Sequence, residues 1–234
     1  MQRAQDALAV FAKYPRVGHV KTRLQNVLSA RQCFLLHRAL LGDVAERCQS
    51  LDVSHHLFLA DCQLDQAATL AESLHGTWQV GLQRGRDLGE RMHNAFRDLA
   101  ARYRRIVLLG TDSPDLPLGR LRRAFRELRR WPVVLGPSSD GGYYLLGLSR
   151  PQPQIFRDIQ WGSRQVLEQT LRRLEPGEVD LLEEWYDVDR EEDLRRLWRQ
   201  LDPLQEGFPA RTADFLRHCP QIASLPSAER RPAP

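Results

Sequence analysis

The chain has 234 residues, 42% hydrophobic and 27% charged, ordinary values for a soluble globular protein large enough to bury a substantial core. Its net charge of +4 comes from arginines dispersed along the chain. With no dense basic tract interleaved with aromatics, nucleic acid is a weak candidate partner, and a mildly basic enzyme acting on anionic substrates explains the charge equally well. No apolar run reaches membrane-spanning length, the first apolar stretch is too short for a signal peptide, and the four cysteines show no CxxC spacing. They read as reduced thiols of a cytoplasmic protein.

Strands and helices are expected to alternate. The apolar run at 7–12 predicts a buried strand that ends near Pro15 and Gly18. Residues 30–48 carry apolar side chains at helical spacing, with Ser29 as candidate N-cap. A strand at 53–60, a helix at 64–74 and a strand at 77–83 follow. The next helix shows one stripe of Leu88, Met92, Ala95, Phe96 and Leu99, capped by Asp87. Residues 105–110 form the clearest buried strand, before a helix over 118–130 and strands at 132–136 and 143–148. A helix at 164–174 precedes an extended run at 179–189 and a last helix led by Leu194, Leu197 and Leu201. This order predicts an α/β fold: one domain over 1–203 with an open, mostly parallel sheet and helices on both faces. After residue 203 the pattern dissolves, so 204–234 reads as an extension and 226–234 as a disordered tail.

Ligands of such sheets sit beyond the carboxyl ends of the strands, and the polar clusters of this chain fall just there. "FAKYPRVGHVKTRL" (11–24) leaves the first strand with five basic residues. Ala12, Lys13, Lys21 and Arg23, with Gly18 letting backbone approach, form a candidate phosphate cradle; the alternative is a solvated basic turn. No GxxxxGK[ST] or GxGxxG occurs. In "LLGTDSPDLP" (108–117), Thr111 and Asp112 stand at a buried strand end, where Asp112 suits a hard divalent cation and Asp115 a helix cap.

"GPSSDGGYYLLGL" (136–148) offers Asp140 as a base or acceptor-orienting group beside Gly141, Gly142 and Tyr143, although Asp-Gly is equally a hairpin signal. Tyr143 and Tyr144 alternate faces, so at most one points at the pocket. In "EEWYDVDREEDL" (183–194), Asp187 and Asp189 point the same way if extended. Asp189 suits a second metal ligand and also a helix N-cap. Arg91 is a candidate phosphate or base contact or a surface arginine, and Trp161 a stacking platform or core. His55 and His56 fall on opposite faces of a strand and make no joint site.

Together "FAKYPRVGHVKTRL", "DLGERM", "GTDSPDLP", "GPSSDGGYYLLGL", "DIQWGS" and "DVDREEDL" resemble the small bacterial transferases known as selenodomain-associated transferase 1 or arsenosugar-biosynthesis glycosyltransferase, of the GT-A-like nucleotide-diphospho-sugar transferase superfamily. The resemblance spans about residues 7–200. It implies a Rossmann-like GT-A sheet, a nucleotide over the first strand and its loop, and a divalent metal, Mg²⁺ or Mn²⁺. By position it implies Lys13, Lys21 and Arg23 at the phosphates, Asp112 and Asp189 as metal ligands, and Asp140 to Tyr143 on the acceptor side. The motif here is TDSPD rather than a strict DxD, and Gly162-Ser163 replaces the expected Trp-[Ser/Gly]-Thr continuation. Such an architecture serves sugar transfer from a nucleotide-sugar to a small acceptor, and also nucleotidyl transfer from an NTP with release of pyrophosphate. Sugar transfer is the leading expectation; a non-catalytic nucleotide-binding domain is the third reading. The oligomeric state is open.

Overall fold

In the computed structural model, which describes residues 4–200 and 208–223, a seven-stranded sheet runs through the molecule. Its strands are β1 (Ala4–Lys13), β2 (Ser54–Ala60), β3 (Gln79–Leu82), β4 (Tyr103–Leu109), β5 (Val133–Pro137), β6 (Tyr143–Leu148) and β7 (Val179–Leu181). The spatial order is β3-β2-β1-β4-β6-β5-β7. Every neighbouring pair is parallel except those made by β6, which runs against β4 and β5. The expected α/β architecture, mostly parallel and covered on both faces, is therefore present.

β1 shows why its sequence is apolar without alternation. Leu8, Val10 and Ala12 join one core with Leu57, Leu59, Val107 and Leu109. Ala7, Ala9 and Phe11 join the other with Phe58, Ile106, Leu108 and Leu146. A central strand covered on both faces has no wet side to make polar. The first core is closed by α1 (Ala30–Cys48), α2 (Leu64–Glu72) and α4 (Leu118–Glu127). The second is closed by α3 (Leu88–Ala100), whose Met92, Ala95, Phe96 and Leu99 all face inward, and by the 3-10 turn at Pro153–Phe156.

Two helix starts follow the local code. Ser29 and Gln32 form a reciprocal capping box on α1, and the Asp87 carboxylate accepts from the Glu90 N–H on α3. Other boundaries differ. The helix expected over 118–130 ends at Glu127 in a turn, and the one expected over 164–174 is shortened to α5 (Val166–Leu171). Of the extended run 179–189, only β7 and a single bridge from Ser138 to Trp185 pair with the sheet. His55 bonds the Cys48 carbonyl while His56 packs on Tyr103, so the two rings do take opposite faces.

The region where the sequence pattern dissolves contains α7 (Ala210–Arg217) and a final turn, α8 (Pro220–Ala223), after α6 (Glu191–Gln200). The expected disordered tail, 226–234, lies outside the described residues. α7 docks on α1 through Asp43, a buried carboxylate that accepts from the backbone N–H groups of Arg211 at 3.0 Å and Thr212 at 2.7 Å. This side chain supplies the helix N-terminus with acceptors from another element. Asp43→Ala should therefore lower stability by about 1–3 kcal/mol in urea unfolding and open 208–223 to proteolysis. Unchanged stability and unchanged proteolysis would show that α7 is held by its apolar face alone.

Candidate functional site

The carboxyl ends of β1, β2, β3 and β4 meet at one edge of the sheet. Because β6 is antiparallel, its first residues lie at the same edge, with Leu145 opposite Leu109. A cavity of about 670 Å³ opens there. A smaller cavity of about 380 Å³ sits at the other end of β4 and β6, beside His93, Phe96 and Phe156. It has no carboxylate in its lining, whereas Asp112, Asp187 and Asp189 border the larger one.

Lys21 is the centre of the site. Its side chain is only 4% exposed, and its ammonium lies 2.7 Å from Asp112 Oδ1 and 2.9 Å from Asp189 Oδ1. It also donates to the Val188 carbonyl at 2.6 Å. Burial alone would depress its pKa, but the Asp112 and Asp189 carboxylates outweigh burial and hold it above the usual lysine value. Burial would likewise raise the Asp189 carboxyl, yet Lys21, Arg23 and Arg190 hold it below the usual carboxylate range. The Lys21 backbone is left-handed, φ +48° and ψ +39°, an uncommon conformation for a residue with a side chain.

Asp189 is free to face Lys21 because it is not the helix cap expected from its position. Asp193, one turn into α6, reaches back and accepts from the Asp189 and Arg190 N–H groups. Asp115 is also not a cap. It accepts from the Tyr186 hydroxyl at 2.6 Å and the Trp185 indole at 3.4 Å, anchoring the segment before Asp187. The N-cap position of α4 is held by Pro117. The Val188 N–H donates to the Asp112 carbonyl at 2.7 Å, tying that segment to the end of β4.

Asp187 forms a third acidic point. The Ser113 and Ser138 hydroxyls donate to its two oxygens, each at 2.7 Å. Burial first, and then the negative charge of Asp112, push its pKa up to about 6 despite those two bonds. His37 and Gln83 were not singled out by sequence reasoning, yet both line the cavity. His37 Nε2 sits 2.9 Å from the Lys13 carbonyl, and burial holds its pKa below the usual histidine value. Gln83 Nε2 donates to the Ala12 and Phe58 carbonyls, both at 3.0 Å, bridging the ends of β1 and β2. His37 shares the helical spacing of the apolar residues of α1, so nothing in the sequence sets it apart. Gln83 falls inside the strand expected at 77–83, and only the end of β3 at Leu82 places it in the turn beyond the strand.

Of the expected site residues, Ala12, Lys13, Lys21, Arg23, Arg91, Thr111, Asp112, Tyr143 and Asp189 border the cavity. Gly18, Asp140, Gly141, Gly142 and Trp161 do not. Gly18 lies in the exposed loop with φ +82°. Asp140 is exposed, and its carboxylate accepts from the Gly142 N–H at 2.9 Å, an Asx-type turn. Gly141, at φ +91°, admits no side chain, since a Cβ would stand 2.1 Å from the Arg164 carbonyl oxygen. Trp161 packs edge-on against Tyr143, with ring centroids 6.5 Å apart. Tyr144 also lines the cavity although it takes the opposite face of β6, where its hydroxyl donates to the Glu183 carbonyl at 3.1 Å, so the expectation that at most one of the two tyrosines reaches the pocket does not hold.

The raised Asp187 carboxyl fixes a sign. A carboxyl whose folded pKa is about 6 against an ordinary 3.8 keeps its proton in the folded state, so its contribution to stability falls as pH rises from about 4 to 6. Asp187→Asn keeps the hydroxyl contacts and removes this penalty. Urea midpoints should show the variant gaining on the wild-type protein at pH 7.5 relative to pH 4; an identical difference at both pH values would contradict the assignment.

The fold finds counterparts among known proteins. A proposed nucleotide-diphospho-sugar transferase from Desulfovibrio desulfuricans G20 superposes with a TM-score of 0.81 at 30% identity, over 94% of this chain and 93% of that one. The inositol-1-phosphate CTP transferase from T. maritima shares the fold at 12% identity and a TM-score of 0.53, over 93% and 98% of the two chains. Rv0371C from Mycobacterium tuberculosis H37Rv, solved as a manganese complex, matches at 21% identity and a TM-score of 0.50, over 83% and 98%. No curated protein matches the sequence. With residues 44–163 matched by its model, the chain belongs to the bacterial family described as "Uncharacterized protein conserved in bacteria (DUF2064)".

Proposed function

We propose that this protein is a metal-dependent transferase that uses a nucleotide-activated donor. The observation that carries the reading is the convergence of Asp112, Asp189 and Asp187 with Lys21 at the strand ends of a cavity of about 670 Å³. Asp112 and Asp189 already share one cation, the Lys21 ammonium, and their oxygens are the hard donors that Mg²⁺ or Mn²⁺ prefers. Those two carboxylates would hold the metal, which would neutralise charge on the donor's phosphate oxygens. The manganese complex of Rv0371C agrees with this choice of ion class.

The remaining roles belong to the chain itself. Lys13, Arg23 and Arg91 line the cavity as cations for phosphate oxygens, and the buried Thr111 and Ala12 form its floor near the ends of β4 and β1. Gln83 and His37 hold the carbonyls at the ends of β1 and β2, which keeps that wall rigid. Ser113 and Ser138 orient Asp187. The turn at Asp140, Gly141 and Gly142 leads into Tyr143 and shapes the acceptor side, with Trp161 buttressing the Tyr143 ring. We assign the transferase domain to 1–203 with 204–234 as an extension, and place the enzyme in the cytoplasm, where the free Cys33, Cys48, Cys62 and Cys219 stay reduced.

For the bond transferred, the six motifs and the likeness to the Desulfovibrio protein favour a sugar moved from a nucleotide-sugar to a small acceptor. The same motifs support kinship with the selenodomain-associated and arsenosugar transferases. A second reading, nucleotidyl transfer from an NTP, is favoured by the fold shared with the inositol-1-phosphate CTP transferase and by the density of cations along 13–23.

Thermal shifts with panels of NTPs and nucleotide-sugars, with and without Mg²⁺ or Mn²⁺, should show stabilisation by a nucleotide ligand that needs the cation. Stabilisation by neither class would sink the proposal. Pyrophosphate release would select nucleotidyl transfer, and nucleoside diphosphate release sugar transfer. Asp112→Asn should lower cation-dependent turnover by at least about a hundredfold, with some loss of stability because the buried Lys21 ammonium gives up one of its two carboxylate partners. Asp115→Asn should instead lose about 1–3 kcal/mol of stability with a smaller effect on turnover, because it frees Tyr186 and Trp185. Equal losses of turnover would reject Asp112 as the ligand, and cation-dependent binding that survives Asp112→Asn without any turnover would favour a binding domain.

A further inference from the structure

The ammonium of Lys21 stands where Asp112 and Asp189 aim their oxygens, so any other cation drawn to those carboxylates must contend with it. We propose that Lys21 and the divalent cation are alternative occupants of this one position. Lys21 bridges the two aspartates when the metal is away. It gives them up when the metal binds, and its freed ammonium then turns to the donor's phosphates. The inference rests on the metal-dependent reading above and adds to it an internal counter-ion that changes partners during loading.

Three observations support the exchange. First, the oxygens around Lys21 Nζ already form a partial shell: Asp112 Oδ1 at 2.7 Å, Asp189 Oδ1 at 2.9 Å and the Val188 carbonyl at 2.6 Å. These are the same hard donors a divalent ion takes, and two positive centres cannot share them at such range. Second, the charge at this point is under-compensated. Two carboxylates face the single Lys21 ammonium, while Arg23 reaches Asp189 only at 3.6 Å from a side chain that is 63% exposed. A doubly charged ion balances this cluster better than one ammonium does.

Third, the loop bearing Lys21 is built to let go. Its left-handed backbone at φ +48° is a conformation that persists only while surrounding contacts hold it, and the buried ammonium supplies three of them. The preceding residues 16–19 are exposed, and nothing lies within 4 Å of a side chain built on Gly18. Lys21 also borders the cavity, so rotation about its own side-chain bonds carries the ammonium from the aspartates towards a bound phosphate without moving the sheet.

Mn²⁺ binding to the full chain, followed by the loss of the free Mn²⁺ electron paramagnetic resonance signal and without nucleotide, tests the exchange. Lys21→Met should bind Mn²⁺ at least about tenfold more tightly than the wild-type protein, since the competing charge is gone. With Mn²⁺ saturating, the same variant should bind an equimolar mix of the four ribonucleoside triphosphates at least about tenfold more weakly. A second measurement needs no variant: acetylation of Lys21 by an N-hydroxysuccinimide ester, read by peptide mass spectrometry. The rate should be slow for the protein alone, rise when Mn²⁺ is added, and fall again with Mn²⁺ and the triphosphates together. Mn²⁺ affinity that is unchanged or weaker in Lys21→Met, or an acetylation rate indifferent to Mn²⁺, overturns the exchange while leaving the metal site standing. If neither wild type nor variant binds Mn²⁺, the metal-dependent reading fails and the exchange falls with it.

Discussion

Residues 185–189 belong to no regular strand, yet the site depends on how firmly they are held. Asp115 anchors Trp185 and Tyr186, Ser113 and Ser138 fix Asp187, the Asp112 carbonyl accepts from Val188, and Lys21 takes Asp189. The partners come from three places: Asp112, Ser113 and Asp115 from the turn after β4, Ser138 from the connection after β5, and Lys21 from the loop after β1. The segment thus acts as a rivet across the carboxyl edge of the sheet. Its apolar members, Tyr186 and Val188, sink into the cluster that α1 shares with α6 and α7. Alternate residues therefore serve two tasks: the apolar ones bind the last helices to the domain, and the acidic ones turn to the cavity.

The electrostatics run against the charge of the whole chain. A protein with a net charge of +4 sets two carboxylates on one buried ammonium, and keeps a number of its arginines at the surface in pairs with nearby acids. Such exposed pairs contribute little to stability. The buried cluster is different, because loss of either partner leaves a charge stranded out of water. Structure and chemistry meet in the same few side chains, so a change that removes the function also disturbs the rivet.

Legibility from sequence followed the range of the interaction. β1 and β4 were readable because a strand buried on both faces is uninterrupted apolar sequence, and α1 and α3 because Ser29 and Asp87 cap within three residues of themselves. Lys21 and Asp112 stood out in polar stretches that follow apolar strands, and Asp189 through its two-residue spacing from Asp187. What escaped was set at long range. Asp115 sits where a helix cap belongs, but its partners are 70 and 71 residues away. Asp189 likewise resembles a cap until Asp193 takes that task from inside the helix. His37 shows helical spacing like its apolar neighbours, and only the fold brings it under the Lys13 carbonyl.

The reversed direction of β6 separates the cavity into two walls with different covalent origins. One wall is made by the exits of parallel strands, each continuing into its own helix or loop. The other begins at Tyr143, directly after the short connection of residues 138–142 that links the adjacent antiparallel strands β5 and β6. Such a connection can be exchanged as a cassette without rerouting a helix. In the transferase reading, selectivity for the second substrate is then modular: recombination at the hairpin tip can retune it while the nucleotide wall and its acidic centre are inherited intact, provided Ser138 keeps its bond to Asp187 and its bridge to Trp185.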